Sequence, residues 1–490
     1  MLFNSYVFLL IFLPVCVLGF RAAMRQGGVQ LSLSWLLACS LFFYGWWDPR
    51  YVLLLLASIG ANFAAAQLLR RASGRPRKAL LAAGIAGNLG LLGYFKYAGF
   101  FARTLAPVLG TDGSGWDLVL PLGISFFTFQ QIAYLVDTSR GNTPARGLFP
   151  YALFITFFPH LIAGPITHHG ELMPQLDART RERARAADFS LGLAILVVGL
   201  VKKVILADSV ARYASPTFAA AELGASPSFA EGWLAALAYT LQLYFDFSGY
   251  SDMAIGLALL FGVRLPANFD SPYKAVSIVD FWRRWHITLS RFLREYLYIP
   301  LGGNRRGPVR RYAYLMITML LGGLWHGAGW TFVAWGGLHG AMLVTNHAWR
   351  ALRHRLGVAA AAPGSWRLAA GRALTFVCVV AAWVLFRSHS WDGATRILGA
   401  MAGQNGFELA TSFETSRALR LIAPLLLVVW LAPNTQQIFA SGKPVLDPQP
   451  APARLLLWRP TPLGASGLAI VAVLVLLGIS SASEFLYYQF

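Results

Sequence analysis

Two histidines stand out by their settings: His286 closes the string Phe-Trp-Arg-Arg-Trp-His, and His326 sits in Gly-Gly-Leu-Trp-His-Gly. An imidazole takes up and releases a proton near neutral pH, which makes histidine the commonest general base for activating a hydroxyl. His326 lies in an apolar run that starts near Tyr312 and carries no Lys, Arg, Asp or Glu until Arg350. A polar ring in such a run must hydrogen-bond inward or face a cavity, because polar groups exposed to lipid are costly. Helix packing and proton transfer both remain open for it. Gly322, Gly323, Gly327, Ala328 and Gly329 crowd around this histidine. Small residues of this kind allow either close helix packing or close approach of a substrate to the backbone.

A second polar group occupies Leu-Gln-Leu-Tyr-Phe-Asp-Phe-Ser-Gly-Tyr-Ser-Asp, which places Asp246 and Asp252 at or between two apolar segments. Carboxylates in that position line an aqueous path, or pair structurally with Arg or with backbone amides at a helix break. His160, His168 and His169 flank the helix-breaking Pro159 and Gly164-Pro165, and they fit interfacial positions equally well. His339, thirteen residues beyond His326, falls on another face of a continuous helix and is expected to pack. No metal is expected: H-x-x-x-H, H-E-x-x-H and paired cysteines are all absent, and His168-His169 alone is too weak a signal. Walker A and dinucleotide fingerprints are missing too. Cys16, Cys39 and Cys378 lie in apolar stretches and read as small hydrophobes.

The elements that hold these groups belong to a membrane. Of 490 residues, 57% are hydrophobic and only 13% charged, with a mean hydropathy of +0.55; the charged share is about half that of a soluble domain. Apolar segments fall near 2–20, 31–47, 50–69, 79–97, 118–136, 148–164, 188–206, 230–247, 249–263, 312–335, 371–387, 418–432 and 464–481. Several are shorter than the ~20 residues of a straight crossing, so about eleven true crossings are expected, with others tilted, re-entrant or buried. The first segment is expected to be retained with its N-terminus outside, since Arg21 and Arg25 follow it.

The net charge of +20 first suggests nucleic acid, but the basic residues stand in short runs between apolar segments, such as Arg75–Lys78, Arg179–Arg185 and Arg305–Arg311. That is the pattern of cytoplasmic loops and contact with anionic lipid, so no nucleic-acid partner is expected. A full crossing by 148–164 would put the run 179–185 outside, so a half-membrane excursion is expected there. Residues 264–311 carry ten Lys/Arg against three Asp/Glu and are rich in aromatics. Within them, Trp282, Trp285, Leu289, Phe292, Leu293 and Tyr296 recur at helical spacing, which predicts a basic amphipathic helix around 281–298, lying in the cytoplasmic interface or dipping inward.

At Asp280–Gly303 and Gly322–Gly340 the chain closely resembles the membrane-bound O-acyltransferase family, in its bacterial alginate O-acetylation-like branch. Met-Leu-Phe-Asn-Ser-Tyr-Val-Phe-Leu at the start, Pro-Leu-Gly-Ile-Ser-Phe-Phe-Thr-Phe-Gln at 121–130, Pro-His-Leu-Ile-Ala-Gly-Pro-Ile at 159–166 and the Asp246–Asp252 segment support it. The resemblance spans most of 1–345 and thins afterwards.

It implies an all-α polytopic protein, a ring of tilted helices around a central tunnel, in one membrane-embedded domain over 1–490. N-terminal helices would occupy 1–110, a catalytic core about 118–348, and C-terminal helices 371–490. The family's invariant histidine matches His326 and its second polar position matches His286. The implied reaction is acyl transfer from a thioester, acetyl-CoA, to a hydroxyl, with no permanently bound cofactor. His326 would act as general base, and His286 would orient it or polarise the thioester carbonyl. Trp285, Trp325, Arg283, Arg284, Asp246, Asp252 and His160 are the candidate substrate-binding residues, the arginines suiting CoA phosphates.

The branch further implies a bacterial inner-membrane location and a periplasmic or membrane-anchored partner transferase resembling SGNH hydrolases, which completes O-acetylation of a polysaccharide. A transporter or flippase for lipid-linked sugars is the competing expectation. It accounts for the many spans and buried carboxylates, but not for the tryptophan-flanked histidine pair.

Overall fold

The computed structural model describes residues 1–112, 115–116, 118–144, 146–176, 186–357, 364–407, 413–447, 450, 457–479 and 486. The basic run Arg179–Arg185 and part of the Pro-rich 444–462 stretch lie outside the described residues. All regular structure among the described residues is helical. Among the described residues, five stretches are long and apolar enough to cross a membrane: Val7–Gly45, Arg50–Arg71, Gly74–Leu109, Asp188–Glu222 and Ser365–Arg387. Their lipid-compatible faces carry exposed residues such as Leu18, Leu53 and Leu374, as expected where the solvent is hydrocarbon.

The chain divides into two compact units, one of residues 1–200, 250–267 and 435–488, the other chiefly of 201–249 and 268–434. In the first, Asn62, Asn88 and Gln131 hydrogen-bond one another and tie together the helices Arg50–Arg71, Gly74–Leu92 and Ile124–Ser139. Polar side chains joining apolar helices are the usual adhesive inside a bilayer. An aromatic cluster of Phe3, Phe8, Phe12, Phe43 and Phe158 forms the other centre of this unit. The segment 148–164 is broken: the helix Leu148–Thr156 stops at Phe157, whose ψ is 104°, and a short turn Phe158–Leu161 follows. At nine residues the first piece is only about 13 Å long, too short to cross.

In the second unit the helix Pro308–His326 folds back on Trp330–Arg355. The glycines are what make this hairpin close. A Cβ on Gly323 would collide with the carbonyl oxygen of Phe332, and one on Gly336 with that of Met319. Gly323, three residues before His326, therefore serves helix–helix contact, a use composition leaves open.

Three expected elements differ. The apolar run 312–335 is two helices, because Gly327 and Gly329 take extended backbone (φ −159° and −161°) and interrupt it. His339 thus sits on the second helix rather than on a continuation of the first. The amphipathic helix expected over 281–298 breaks into Ile278–Arg284 and Ile287–Leu293, parted by His286 at φ 43°. The two spans expected at 230–247 and 249–263 form one helix, Phe229–Leu260. Its polar centre does not break it, because buried partners satisfy Asp246 and Asp252.

Candidate functional site

Ser277 starts the helix Ile278–Arg284 by accepting the Asp280 backbone N–H on its hydroxyl, while Asp280 accepts the Val276 N–H in return. This N-cap, with the added Asp280 contact, anchors the start of the stretch that carries Arg283, Arg284, Trp285 and His286. The backbone then enters the left-handed region at His286, which is fully buried. A side chain with a Cβ pays roughly 1–2 kcal/mol for that conformation, so the surroundings must hold it. They do so through Asn268, whose main-chain oxygen accepts the Ile287 N–H at 3.0 Å.

His326 is the last residue of its helix, 4% exposed. The rings of Trp325, Trp335 and Phe386 surround it at 5.0, 5.1 and 5.2 Å. The His286 ring lies 6.2 Å from the His326 ring, and Phe247 meets His286 edge-on at 4.8 Å. An oxygen hydrogen-bonded to an imidazole nitrogen sits about 4 Å from that ring's centroid. Two centroids 6.2 Å apart are therefore within reach of one shared oxygen.

Trp285 stacks on Phe281 at 5.8 Å and packs on Trp383 at 4.9 Å. Trp325 lies 6.2 Å from His286 and 5.0 Å from His326, and so helps wall the histidine pair. Arg284 pairs with Asp280 at 2.9 Å and with Asp270 at 3.5 Å, and Arg283 is exposed. His339 packs as expected: its Nδ1 accepts the Trp282 indole N–H at 3.2 Å, and Trp335 stands 4.8 Å away. Trp335 lies against both His326 and His339.

The carboxylates have other partners. Asp246 forms a 2.7 Å ion pair with Lys203, which also meets Asp208 at 3.1 Å. Asp252, in the other unit, accepts from Thr435 at 2.7 Å and from Gln436 at 2.9 Å. His160 belongs to that unit as well and uses both ring nitrogens. Its Nε2 donates to the Phe154 carbonyl and its Nδ1 accepts from Gln130, each at 3.0 Å.

His168 and His169 meet a residue that sequence reasoning missed, Asp137, and the three ligand-type atoms fall within 4.8 Å of one another. His168 Nδ1 accepts the Gly170 N–H, which leaves Nε2 carrying the hydrogen given to Asp137 Oδ2 at 2.8 Å. The His168–Asp137 hydrogen bond ties this cluster together. His169 lies outside the spanning helices, and burial pushes its imidazole down to about 4, with His168 reinforcing the shift and Asp137 opposing it.

Also missed were Asn268, Lys203, Trp383 and Phe386. Only Lys203 left a signal, a lysine inside an apolar segment.

Residues 146–361 match the model of the membrane-bound O-acyltransferase family. The chain is 42% identical to the peptidoglycan O-acetyltransferase of Helicobacter pylori over 450 residues, covering 86% of this chain and 84% of that one. It is 38% identical to a probable alginate O-acetylase of Pseudomonas putida over 521 aligned positions, spanning 100% of both. A teichoic acid D-alanyltransferase of Streptococcus thermophilus is 28% identical over 54% of this chain and 68% of its own length. These relatives are acyltransferases, which sets aside the transporter reading. With its histidine pair, its all-helical architecture and these relatives, the chain belongs to the membrane-bound O-acyltransferase family and is a multi-pass membrane acyltransferase.

Proposed function

We propose that the chain moves an acetyl group from cytoplasmic acetyl-CoA across a bacterial inner membrane, for O-acetylation of an extracytoplasmic polysaccharide such as alginate. A partner transferase resembling SGNH hydrolases supplies the accepting hydroxyl. About eleven tilted helices around a tunnel, acting as one domain over 1–490, form the proposed path. The observation that carries this reading is the burial of His286 and His326 side by side, with ring centroids 6.2 Å apart, among aromatic rings. The names of two relatives, a peptidoglycan O-acetyltransferase and an alginate O-acetylase, support acetyl as the group and a glycan as its destination.

In the proposed step the hydroxyl oxygen attacks the thioester carbonyl carbon while His326 takes the hydroxyl proton. The C–O bond forms, the C–S bond breaks, and the leaving thiolate takes the proton back as free CoA thiol. Apolar walls exclude water that would hydrolyse the thioester. Arg283 and Arg284 are assigned to the CoA phosphates, and Trp285 and Trp325 to the walls of the acyl path.

Membranes containing the full chain, incubated with acetyl-labelled CoA, test this reading. Label should pass to a protein or glycan hydroxyl with the wild-type chain and stay on CoA with His326→Ala. Equal transfer by the variant, at equal protein level, overturns it.

A further inference from the structure

His286 leaves two roles open: orienting the base, or polarising the carbonyl with a donated hydrogen bond. Its hydrogen-bond partner separates them. Asn268 is 1% exposed and lies on the loop before the helix Ile278–Arg284. Its Oδ1 accepts the Thr288 backbone N–H at 3.3 Å and the Thr288 hydroxyl at 2.9 Å, and stands 3.1 Å from His286 Nδ1.

A backbone N–H can only donate, so the Asn268 atom facing Thr288 is the oxygen and the amide orientation is fixed. An amide oxygen can only accept, so the hydrogen of the third contact belongs to His286 Nδ1. In a neutral imidazole the second nitrogen then carries the lone pair. The main-chain oxygen of Asn268 holds the neighbouring Ile287 N–H at 3.0 Å. One residue therefore sets both the left-handed backbone at His286 and the identity of its basic nitrogen.

We infer that Asn268 is a positioning residue that fixes His286 as the Nδ1–H tautomer, so that His286 Nε2 serves the reaction as a proton acceptor and not as a donor to the thioester carbonyl. The role rests on the acyl-transfer reading above; the tautomer itself does not. Nε2 can accept a hydrogen bond from an oxygen shared with His326, or it can receive the hydroxyl proton itself. The 6.2 Å spacing of the rings suits one oxygen shared between them. In neither case does a neutral His286 polarise a carbonyl, and that duty falls to other donors.

The test is nitrogen NMR of the full chain in lipid nanodiscs, ¹⁵N-labelled at histidine and measured above neutral pH without substrate. The His286 signals are assigned by their disappearance in His286→Gln. Wild type should show hydrogen on Nδ1. Asn268→Asp keeps an acceptor oxygen in place and should keep that hydrogen, whereas Asn268→Leu removes it and should shift His286 to the Nε2–H form or a mixture. A purely structural asparagine would lower stability without changing the tautomer.

Hydrogen on Nε2 alone in wild type overturns the inference, and so does an unchanged tautomer in a folded Asn268→Leu. If the leucine variant does not fold, wild type and Asn268→Asp decide, and loss of the Nδ1 hydrogen in the latter counts against the assignment. Because no substrate is present, this outcome is independent of the acetyl-transfer result with His326→Ala.

Discussion

His160 in one unit and His326 in the other are both almost wholly buried, 1% and 4% exposed, yet their surroundings differ in kind. His160 is held at both ring nitrogens, by Gln130 and the Phe154 carbonyl, with Thr167 at 3.4 Å. His168 is likewise fixed at both nitrogens, and His169 meets Thr143 at 3.1 Å and lies beside Asp137. His326 instead ends a helix among the rings of Trp325, Trp335 and Phe386, with a second histidine alongside. The ring nitrogens of His160 and His168 tie protein segments together and so hold the fold in place. A histidine walled by aromatic edges and paired with another is suited to handing a proton to and from a substrate. Burial alone does not distinguish the two.

The contrast can be broken most forcefully at the polar support of the second unit. Lys203 is 2% exposed and bridges Asp246 and Asp208. Lys203→Met should cost about 3–5 kcal/mol, because it leaves a buried carboxylate without its cation. Thermal unfolding in detergent should show a large loss, and Lys203→Met with Asp246→Leu should recover much of it. A Lys203→Met chain as stable as wild type would remove the ion pair from the account of that unit.

A smaller effect is expected from pH at His169. Its folded value of about 4 lies below the ordinary value of 6.5, so between those pH values the unfolded chain binds a proton that the folded chain does not. Stability from this group is therefore full above about 6.5 and falls as pH drops toward 4, by up to about 3 kcal/mol. The dependence of unfolding temperature on pH should flatten across that window in His169→Asn, and an unchanged slope would contradict it. The smallest effect is that of His160→Ala, which leaves the Gln130 amide and the Phe154 carbonyl without their partner and should cost about 1–3 kcal/mol of stability. Its acetyl transfer per folded molecule should stay close to wild type, despite its place among the candidate substrate-binding residues.

The two motifs at Trp-Arg-Arg-Trp-His and Leu-Trp-His-Gly pointed to the histidine pair because each carries its chemistry in consecutive residues. The other walls of the cage were not legible. Trp383 and Phe386 lie about sixty residues beyond His326, in a part of the chain where the family resemblance has thinned. Asn268 stands in an irregular loop with no periodicity to mark it. The helix breaks were hidden for a different reason. Apolar spacing continues in phase through Trp285–His286, so nothing in the pattern shows that one non-glycine residue takes φ 43°. Conversely, the polar string Asp246–Asp252 looked like a boundary, but the Lys203 and Thr435–Gln436 partners that keep it helical lie far away in sequence. Local composition marks a polar residue in an apolar run; it does not reveal whether a distant chain segment satisfies it.

The most direct test of the contrast is acetyl transfer from labelled CoA by His326→Ala and His160→Ala, assayed side by side in membranes and normalised to folded protein. The account predicts a loss of about 10²–10⁴-fold for His326→Ala, and near wild-type transfer for His160→Ala. Equal losses in the two variants, or retained transfer in His326→Ala, would contradict the assignment of the chemistry to the aromatic-walled pair.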